Sequence, residues 1–312
     1  MPELVNPIQW ATPVFILMIV AEMLYGWRTG RVRYEARDTL TSLLMGVGSQ
    51  VAGLMQKGVV LGLGYWVWTN WRVLDIGWQW WAFVIAFIAE DLAYYCVHRA
   101  GHRIRWFWAA HVIHHSSQHY NLSTALRQTW TGFIALNFAF RLPLFVIGFH
   151  PLMIAFVGAL NLIYQFWIHT EAIVRLPAWF EAVFNTPSHH RVHHAVNPRY
   201  LDSNYAGTLI VWDRLFGTFV REDPAEPCRY GIVKQLGTFN PLKVAFHEWI
   251  GILRDVAKAR SWREAWGHVW KPPGWRPGGG MTSDELKRRW QARKEVAGGD
   301  HAPEQASSVA AE

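Results

Sequence analysis

Residues 78–115 read WQWWAFVIAFIAEDLAYYCVHRAGHRIRWFWAAHVIHH and join a long apolar run to a series of histidines. The apolar part, residues 78–97, has the length of a membrane-spanning helix, which needs about 20 mainly apolar residues. The histidines begin where this run ends, with His98 and His102 four residues apart. The stretch therefore predicts a transmembrane helix that carries metal-binding side chains at one end.

Four other apolar runs are predicted to span the membrane, at residues 8–27, 40–66, 130–149 and 152–168. Gln56 and Lys57 interrupt the second, and a turn at His150 and Pro151 joins the last two into a hairpin. Arg141 within the hairpin is expected to need a partner or a route to the interface. The predicted fold is an all-α integral membrane bundle of about five spans.

Arginines flank these runs on one side. Arg28, Arg31, Arg33 and Arg37 follow the first run, whereas a secretory signal would carry its basic residues before it. The positive-inside rule then places the N-terminus outside and every large histidine cluster in a cytoplasmic helical cap. We expect a bacterial inner (plasma) membrane, with the C-terminus also cytoplasmic.

The composition agrees with a membrane protein. Of the residues 51% are hydrophobic and only 17% are charged, against about 25% charged in soluble domains. The 20 tryptophans suit aromatic belts at the membrane surface. The net charge of +7 is explained by topology and anionic lipid, so we expect no nucleic acid partner. Two cysteines, Cys96 and Cys228, are too few for a disulfide framework.

Three clusters and one isolated histidine predict a metal centre. Spacings of i, i+3 and i, i+4 place such side chains on one helix face, and neutral imidazole is the commonest metal ligand. By ligand type Zn, Cu, Fe and Ni all fit, but a structural zinc needs only four ligands. Two six-coordinate irons would use the set and leave positions for dioxygen. The set is His98, His102, His111, His114, His115, His169, His190, His193 and His194.

At these residues the sequence resembles the fatty acid hydroxylase/sterol desaturase superfamily, most closely its alkylglycerol monooxygenase-like and bacterial sterol desaturase-like members. The matching stretches are HRAGH (98–102), HVIHHSS (111–117), QFWIHTE (165–171), NTPSHHRVHH (185–194) and NYAGTLIVWDRLFGTF (204–219). The resemblance implies a non-haem di-iron centre held by the nine histidines, dioxygen as co-substrate and two electrons from an external donor. That donor is expected to be a separate protein or reductant: a cytochrome, a ferredoxin or a pterin.

One position departs from the family pattern, because Ile173 stands where many relatives carry a further histidine. His119 and His189 lie beside the motifs and are expected mainly to support the ligands. Asp91, two turns before His98, either orients a ligand imidazole or pairs with an arginine such as Arg99 or Arg127. Asn204 is expected mainly to make structural hydrogen bonds.

Two regions are predicted. Residues 1–270 form the membrane domain, with the motif core at about 80–220. Residues 271–312 comprise a Pro/Gly linker (271–280), a polar helix (283–297) with Ser283 as N-cap, and a disordered final dozen residues.

The sequence favours a membrane di-iron oxygenase that hydroxylates an unactivated C–H bond of an acyl, alkyl-ether or sterol-like lipid, with the chemistry at the metal pair. A lipid or sterol desaturase and a carotenoid hydroxylase are alternatives on the same site. A membrane metal-binding or transport protein is an alternative of another class, although transporters place their ions near the bilayer midplane.

Overall fold

The computed structural model describes residues 7–299, and within them it contains twelve α-helices and no β-strand. The predicted all-α class is therefore confirmed for this part of the chain, and the expected disordered tail lies outside it. The helices are α1 (Pro7–Thr29), α2 (Ala36–Trp71), α3 (Trp80–Arg103), α4 (Arg105–His115), α5 (Leu142–Ile147), α6 (Pro151–Trp167), α7 (Ala178–Val183), α8 (Pro187–His194), α9 (Val211–Leu215), α10 (Pro241–Ala257), α11 (Trp262–Trp270) and α12 (Ser283–Gly299).

Two helices, α1 and α3, are long and apolar enough to cross a membrane. The apolar side chains of α1 are largely exposed, and α3 keeps several exposed ones; Leu17 on α1 is 69% exposed and Trp80 at the start of α3 is 79% exposed. Large continuous apolar surfaces of this kind are unfavourable in water. The chain is a membrane protein by this criterion.

Helix α2 is longer than its predicted span. It runs for 36 residues without a break at Gln56 or Lys57. At 1.5 Å per residue it is about 54 Å long, well beyond the roughly 30 Å of a hydrocarbon core. Its first turn lies near the histidine clusters, because Asp38 accepts from Arg127 over 2.7 Å and the Arg127 carbonyl lies 3.3 Å from His114 Nδ1.

The predicted fourth span, residues 130–149, is wrong as a continuous helix. Residues 132–136 form turns, and Leu136 adopts a left-handed conformation with φ 61°. Only a short 3-10 helix (Asn137–Arg141) and the short helix α5 follow in this run. Pro143 at the start of α5 has no N–H to continue an upstream helix. Helix α6 has 17 residues and is thus shorter than a standard span.

Arg141 pairs with Glu90, as expected for an arginine in an apolar segment. Its Nη2 donates to Glu90 Oε1 over 2.6 Å, and Asn161 Nδ2 donates to the other Glu90 oxygen over 2.9 Å. Small residues such as Ala82 and Ala86 are fully buried where α3 meets α5 and α6. They let the helices approach closely, as in other membrane bundles.

The C-terminal helices pack beside the histidine-bearing elements. Helices α10 and α11 lie against α4, and Arg105 on α4 donates to Glu248 and Asp255 of α10 over 2.6 and 2.7 Å. The Pro/Gly segment is anchored as well, because Arg276 Nη1 donates to Asp255 over 2.7 Å. The polar helix is capped by Thr282, whose Oγ accepts from the Glu285 N–H, so the predicted N-cap at Ser283 is one residue late.

Candidate metal centre

The nine predicted histidines come from four separate parts of the chain and converge at one place. Helix α3 brings His98 and His102, α4 brings three, the turn after α6 brings His169, and α8 brings three more. Each helix places its histidines at spacings of three or four residues, which lie on one face. The structure thus brings together the whole set that the sequence singles out.

The ring nitrogens form two groups, and within each group one nitrogen of every ring lies within 4.8 Å of the others. The first group has five members, His98, His102, His111, His115 and His193. The second has four, His114, His169, His190 and His194. Two neighbouring clusters of this size match a dimetal site rather than a single ion.

Hydrogen bonds to backbone carbonyls indicate which nitrogen is protonated in two of the rings, His169 and His114. His169 Nδ1 lies 2.7 Å from the carbonyl oxygen of Gln165, and His114 Nδ1 lies 3.3 Å from that of Arg127. A carbonyl only accepts, so both Nδ1 atoms carry the hydrogen, and a neutral ring has only one N–H. The Nε2 atoms of these two rings therefore face each other with lone pairs, 3.1 Å apart.

Burial prevents a proton from bridging those lone pairs near neutral pH. Desolvation lowers the pKa of His114 to about 4 and that of His169 well below its usual value, with the neighbouring His114 adding to the effect on His169. Facing lone pairs in a buried site repel each other, and a cation between them removes that cost. The arrangement therefore fits a metal ion bound between neutral imidazoles.

The spacing fits imidazole coordination. Nε2–Nε2 distances are 3.0 Å for His98 and His111, 3.1 Å for His115 and His193, and 3.0 Å for His169 and His190. Two nitrogens at right angles around one ion, each about 2.1 Å from it, are separated by about 3.0 Å. Adjacent ligands in the groups are thus already spaced for six-coordinate binding.

The two histidine groups lie at the inner end of an apolar cavity of about 560 Å³. His98, His111, His114 and His169 line that end, so the cavity reaches both groups. Apolar side chains of α1, α2 and α6 form the outer walls, among them Ile16, Val47 and Leu162. A long hydrocarbon chain is the kind of molecule that such a cavity accommodates.

Comparison with known proteins agrees with this geometry. The fatty acid hydroxylase family model matches residues 83–218, the region that supplies all nine histidines. This part of the chain is similar to the fatty acid hydroxylase family. No solved structure gives a significant match.

Several curated relatives of this chain are alkylglycerol monooxygenases. That of Danio rerio is 40% identical over 282 residues, covering 89% of this chain and 61% of the relative. That of Homo sapiens is 39% identical over 278 residues, covering 88% and 61%. The bacterial ornithine lipid hydroxylase OlsE of Rhizobium tropici is 25% identical over 144 residues, or 46% of this chain and 43% of that protein. The chain thus spans about three fifths of the alkylglycerol monooxygenases that it matches.

The two histidines beside the motifs lie outside both groups. His119 is partly exposed on the loop after α4. His189 is buried, packs edge-on against Phe219 at 5.2 Å, and its Nδ1 has no hydrogen-bond partner among the described residues. Ile173 uses its carbonyl oxygen to accept from Arg191 over 2.7 Å.

Neither alternative for Asp91 is right. Its carboxylate accepts from the backbone N–H groups of Thr208 and Leu209 over 2.8 and 3.0 Å, and from Trp212 Nε1 over 2.9 Å. It contacts neither a ligand imidazole nor an arginine. Asp91 instead fastens the 204–213 segment to α3, and the sequence gives no direct sign of this because the main partners are backbone groups.

Backbone carbonyls, which sequence reasoning missed, orient four of the rings. Besides Gln165 and Arg127, the Tyr205 carbonyl accepts from His98 Nδ1 over 2.6 Å and the Ser203 carbonyl from His193 Nδ1 over 3.0 Å. Asp213 holds this loop in place by accepting from the N–H of Tyr205 over 2.8 Å.

The predicted structural role of Asn204 agrees with its contacts. Its side chain binds the His189 carbonyl over 3.0 Å and both backbone groups of Val220 over 2.8 Å. These bonds tie α8 to the loop that orients His193, without touching a ring nitrogen.

Proposed function

We propose that the chain is a membrane-bound non-haem di-iron oxygenase that hydroxylates an unactivated C–H bond of a lipid, using dioxygen and two electrons from an external donor. The observation that carries the proposal is the apolar cavity that ends on histidines of both groups. A hydrolytic metal site would instead need access for water. The names of the relatives, alkylglycerol monooxygenase and ornithine lipid hydroxylase, support a lipid substrate.

Iron fits the donor set better than zinc does. Nine imidazoles exceed what two tetrahedral zinc sites require, whereas six-coordinate ions accept four or five imidazoles and keep positions free. When bound, the two irons would supply the activation of dioxygen. We propose all nine histidines as ligands, with five at one iron and four at the other.

The protein's own residues orient the histidine rings and exclude water from this site. Carbonyl groups hold the rings of His98, His114, His169 and His193 with Nε2 directed inward, which also raises ligand basicity. The apolar walls of the cavity exclude water and confine an alkyl chain beside the histidines. No charged side chain of the described cavity lining is available as a proton carrier, so the chemistry is proposed to stay at the metal pair.

We propose that α1, α2 and α3 cross the membrane and that α5 and α6 form a hairpin that enters it. This replaces five complete spans, because turns at residues 132–136 interrupt the fourth apolar run. We propose a cytoplasmic metal centre, which the arginines after α1 support through the positive-inside rule. The electron donor, whether a protein or a small reductant, would then approach from the cytoplasm.

The proposal is tested by comparing membrane lipid masses in cells that express the intact protein, His193→Ala or His189→Ala. We expect a lipid heavier by one oxygen with the intact protein and with His189→Ala, but not with His193→Ala. A lipid lighter by two hydrogens would instead identify a desaturase. Unchanged lipid masses together with metal uptake into the cells would favour the transport alternative and contradict an oxygenase.

A further inference from the structure

Helices α10 and α11, which follow the histidine motifs in the chain, present apolar side chains on their outer faces. On each helix these side chains recur at spacings of three, four or eight residues and therefore share one face. They are named the apolar stripe and are Leu242, Ile250 and Leu253 on α10, with Trp262, Trp266 and Trp270 on α11. Trp262 and Trp266 are 72% and 59% exposed. An exposed apolar patch of this kind marks a surface that another molecule covers.

The two parts of the apolar stripe are joined. The ring of Trp106 on α4 lies 4.8 Å from that of Trp249 on α10 and 6.2 Å from that of Trp270 on α11. The two helices thus present neighbouring apolar faces over α4.

The acidic side chains of α10 and α11 are taken up by contacts within the protein. Glu248 and Asp255 accept from Arg105 over 2.6 and 2.7 Å, and Glu264 accepts from the Arg260 N–H over 2.9 Å. These carboxylates are therefore directed away from the apolar stripe.

The basic side chains of the same helices have no such partner. Lys243, Arg254, Lys258 and Arg263 are exposed, and none of them pairs with a carboxylate of the described residues. The guanidinium of Arg263 lies 5.5 Å from the Trp262 ring, at the border of the stripe. Apolar side chains flanked by uncompensated cations are complementary to a membrane surface that carries anionic headgroups.

The apolar stripe begins where the apolar surface of α2 begins. The Thr41 hydroxyl on α2 donates to the carbonyl of Phe239 over 3.0 Å, two residues before α10. The large exposed apolar side chains of α2 begin one residue earlier, at Leu40, and continue through Val47. Helix α10 thus starts at the end of a proposed span, the level at which hydrocarbon gives way to headgroups and at which tryptophan is enriched.

A second copy of the chain suits the apolar stripe less well than a membrane does. In a two-fold dimer the same patch lies on both partners. The four cations of one copy would then face those of the other, and like charges across an interface are unfavourable. An anionic phospholipid supplies both the apolar contact and the counter-charge.

We infer that α10 and α11 form an interfacial anchor, which inserts the apolar stripe at the headgroup level of the membrane and binds anionic phospholipid through the flanking lysines and arginines. The inference goes beyond the proposed chemistry and does not depend on it. Because Glu248 and Asp255 hold Arg105 at the start of α4, the anchor fixes the depth of α4 and of its three histidines relative to the membrane surface.

The test identifies the molecule that covers the apolar stripe. The photocrosslinking residue p-benzoylphenylalanine is placed at Leu253 or at Trp266 in the full chain, in nanodiscs of mixed phosphatidylcholine and phosphatidylglycerol. Illumination should add the mass of one phospholipid to the protein at either position. The same residue placed at Arg293, on the exposed side of the polar helix α12, is the control and should give no lipid adduct.

The charge preference is tested on the same adducts. At Trp266 we expect phosphatidylglycerol to exceed its share of the bilayer. Combining Lys258→Gln with Arg263→Gln should lower this enrichment by about fivefold or more, since one cation near an anionic surface contributes about this factor. Combining Arg288→Gln with Arg293→Gln removes the same charge from exposed positions of α12 and should leave the enrichment unchanged.

Several outcomes would overturn the inference. They are a crosslink to a second copy, no adduct at either stripe position, lipid adducts without enrichment in phosphatidylglycerol, and equal effects of the two double variants. Enriched lipid adducts in a protein that oxidises no lipid in cells would keep the anchor and refute only the oxygenase.

Discussion

The buried pair of Asp38 and Arg127 links α2 to the metal centre, and its disruption has a predictable consequence. Arg127 Nη2 donates to Asp38 Oδ1 over 2.7 Å, with the two side chains 2% and 5% exposed. The carbonyl of the same Arg127 accepts from His114 Nδ1. The ion pair therefore positions one of the proposed ligands through the backbone.

In Asp38→Asn the guanidinium of Arg127 stays buried without a counter-charge. Removing one partner of a buried ion pair costs about 3–5 kcal/mol. For a domain of this size that lowers the melting temperature by about 10 °C. We expect this shift in a thermal melt of the detergent-solubilised protein, together with weaker metal retention during dialysis against a chelator.

Two comparison variants separate the buried charge from other effects. Asp284 pairs with Arg103 at the surface, with side chains 49% and 37% exposed, and Asp284→Asn should cost only about 0.2–1 kcal/mol. Adding Arg127→Met to Asp38→Asn removes the unpaired charge, so part of the lost stability should return. A melt of Asp38→Asn within 2 °C of the intact protein, by order of magnitude, would refute this explanation of the pair.

Three other predictions concern the cavity wall near Trp130 and the two histidine groups. Gly48→Ala should displace the Trp130 ring, since an added Cβ lies 2.3 Å from it. We expect lost lipid turnover with unchanged metal content, and normal turnover would show that the position of residues 128–137 in the cavity wall does not matter. His190→Ala should lower metal content and His189→Ala should not, because only His190 belongs to a group; equal loss in an elemental analysis would contradict the grouping. The metal-free protein should lose stability as the pH falls from about 6.5 toward 4, because burial lowers the folded-state pKa of His114 to about 4, so the unfolded chain binds more protons in that interval. A pH-independent melt over this range would contradict buried, neutral histidines.

Local patterns were sufficient for the helices whose apolar runs are continuous. The runs at residues 8–27 and 152–168 correspond to α1 and α6 within a few residues. The run at 130–149 looked equivalent, yet its backbone turns at residues 132–136 and is held there by Trp130 and by Trp249 from α10. That contact joins residues more than a hundred positions apart, and apolar periodicity carries no information about it.

At the site, the sequence predicted the side-chain ligands but not the backbone groups that orient them. Spacings of three and four residues were sufficient to identify the nine histidines that the structure brings together. The groups that orient them are mostly carbonyls, such as those of Gln165 and Tyr205. Every residue has a backbone carbonyl, so the residue type does not show which carbonyls orient a ring. Only the folded position of the chain decides this. For the same reason Asp91, which binds backbone N–H groups, was assigned the wrong partners.

Iron content of the purified protein tests the central claim most directly. Protein produced with ample iron and analysed by elemental mass spectrometry should hold about two irons per chain. His193→Ala in the five-histidine group and His190→Ala in the four-histidine group should each hold fewer. A single metal per chain, an empty site, or zinc bound in preference to supplied iron would contradict a di-iron centre and with it the proposed oxygenase.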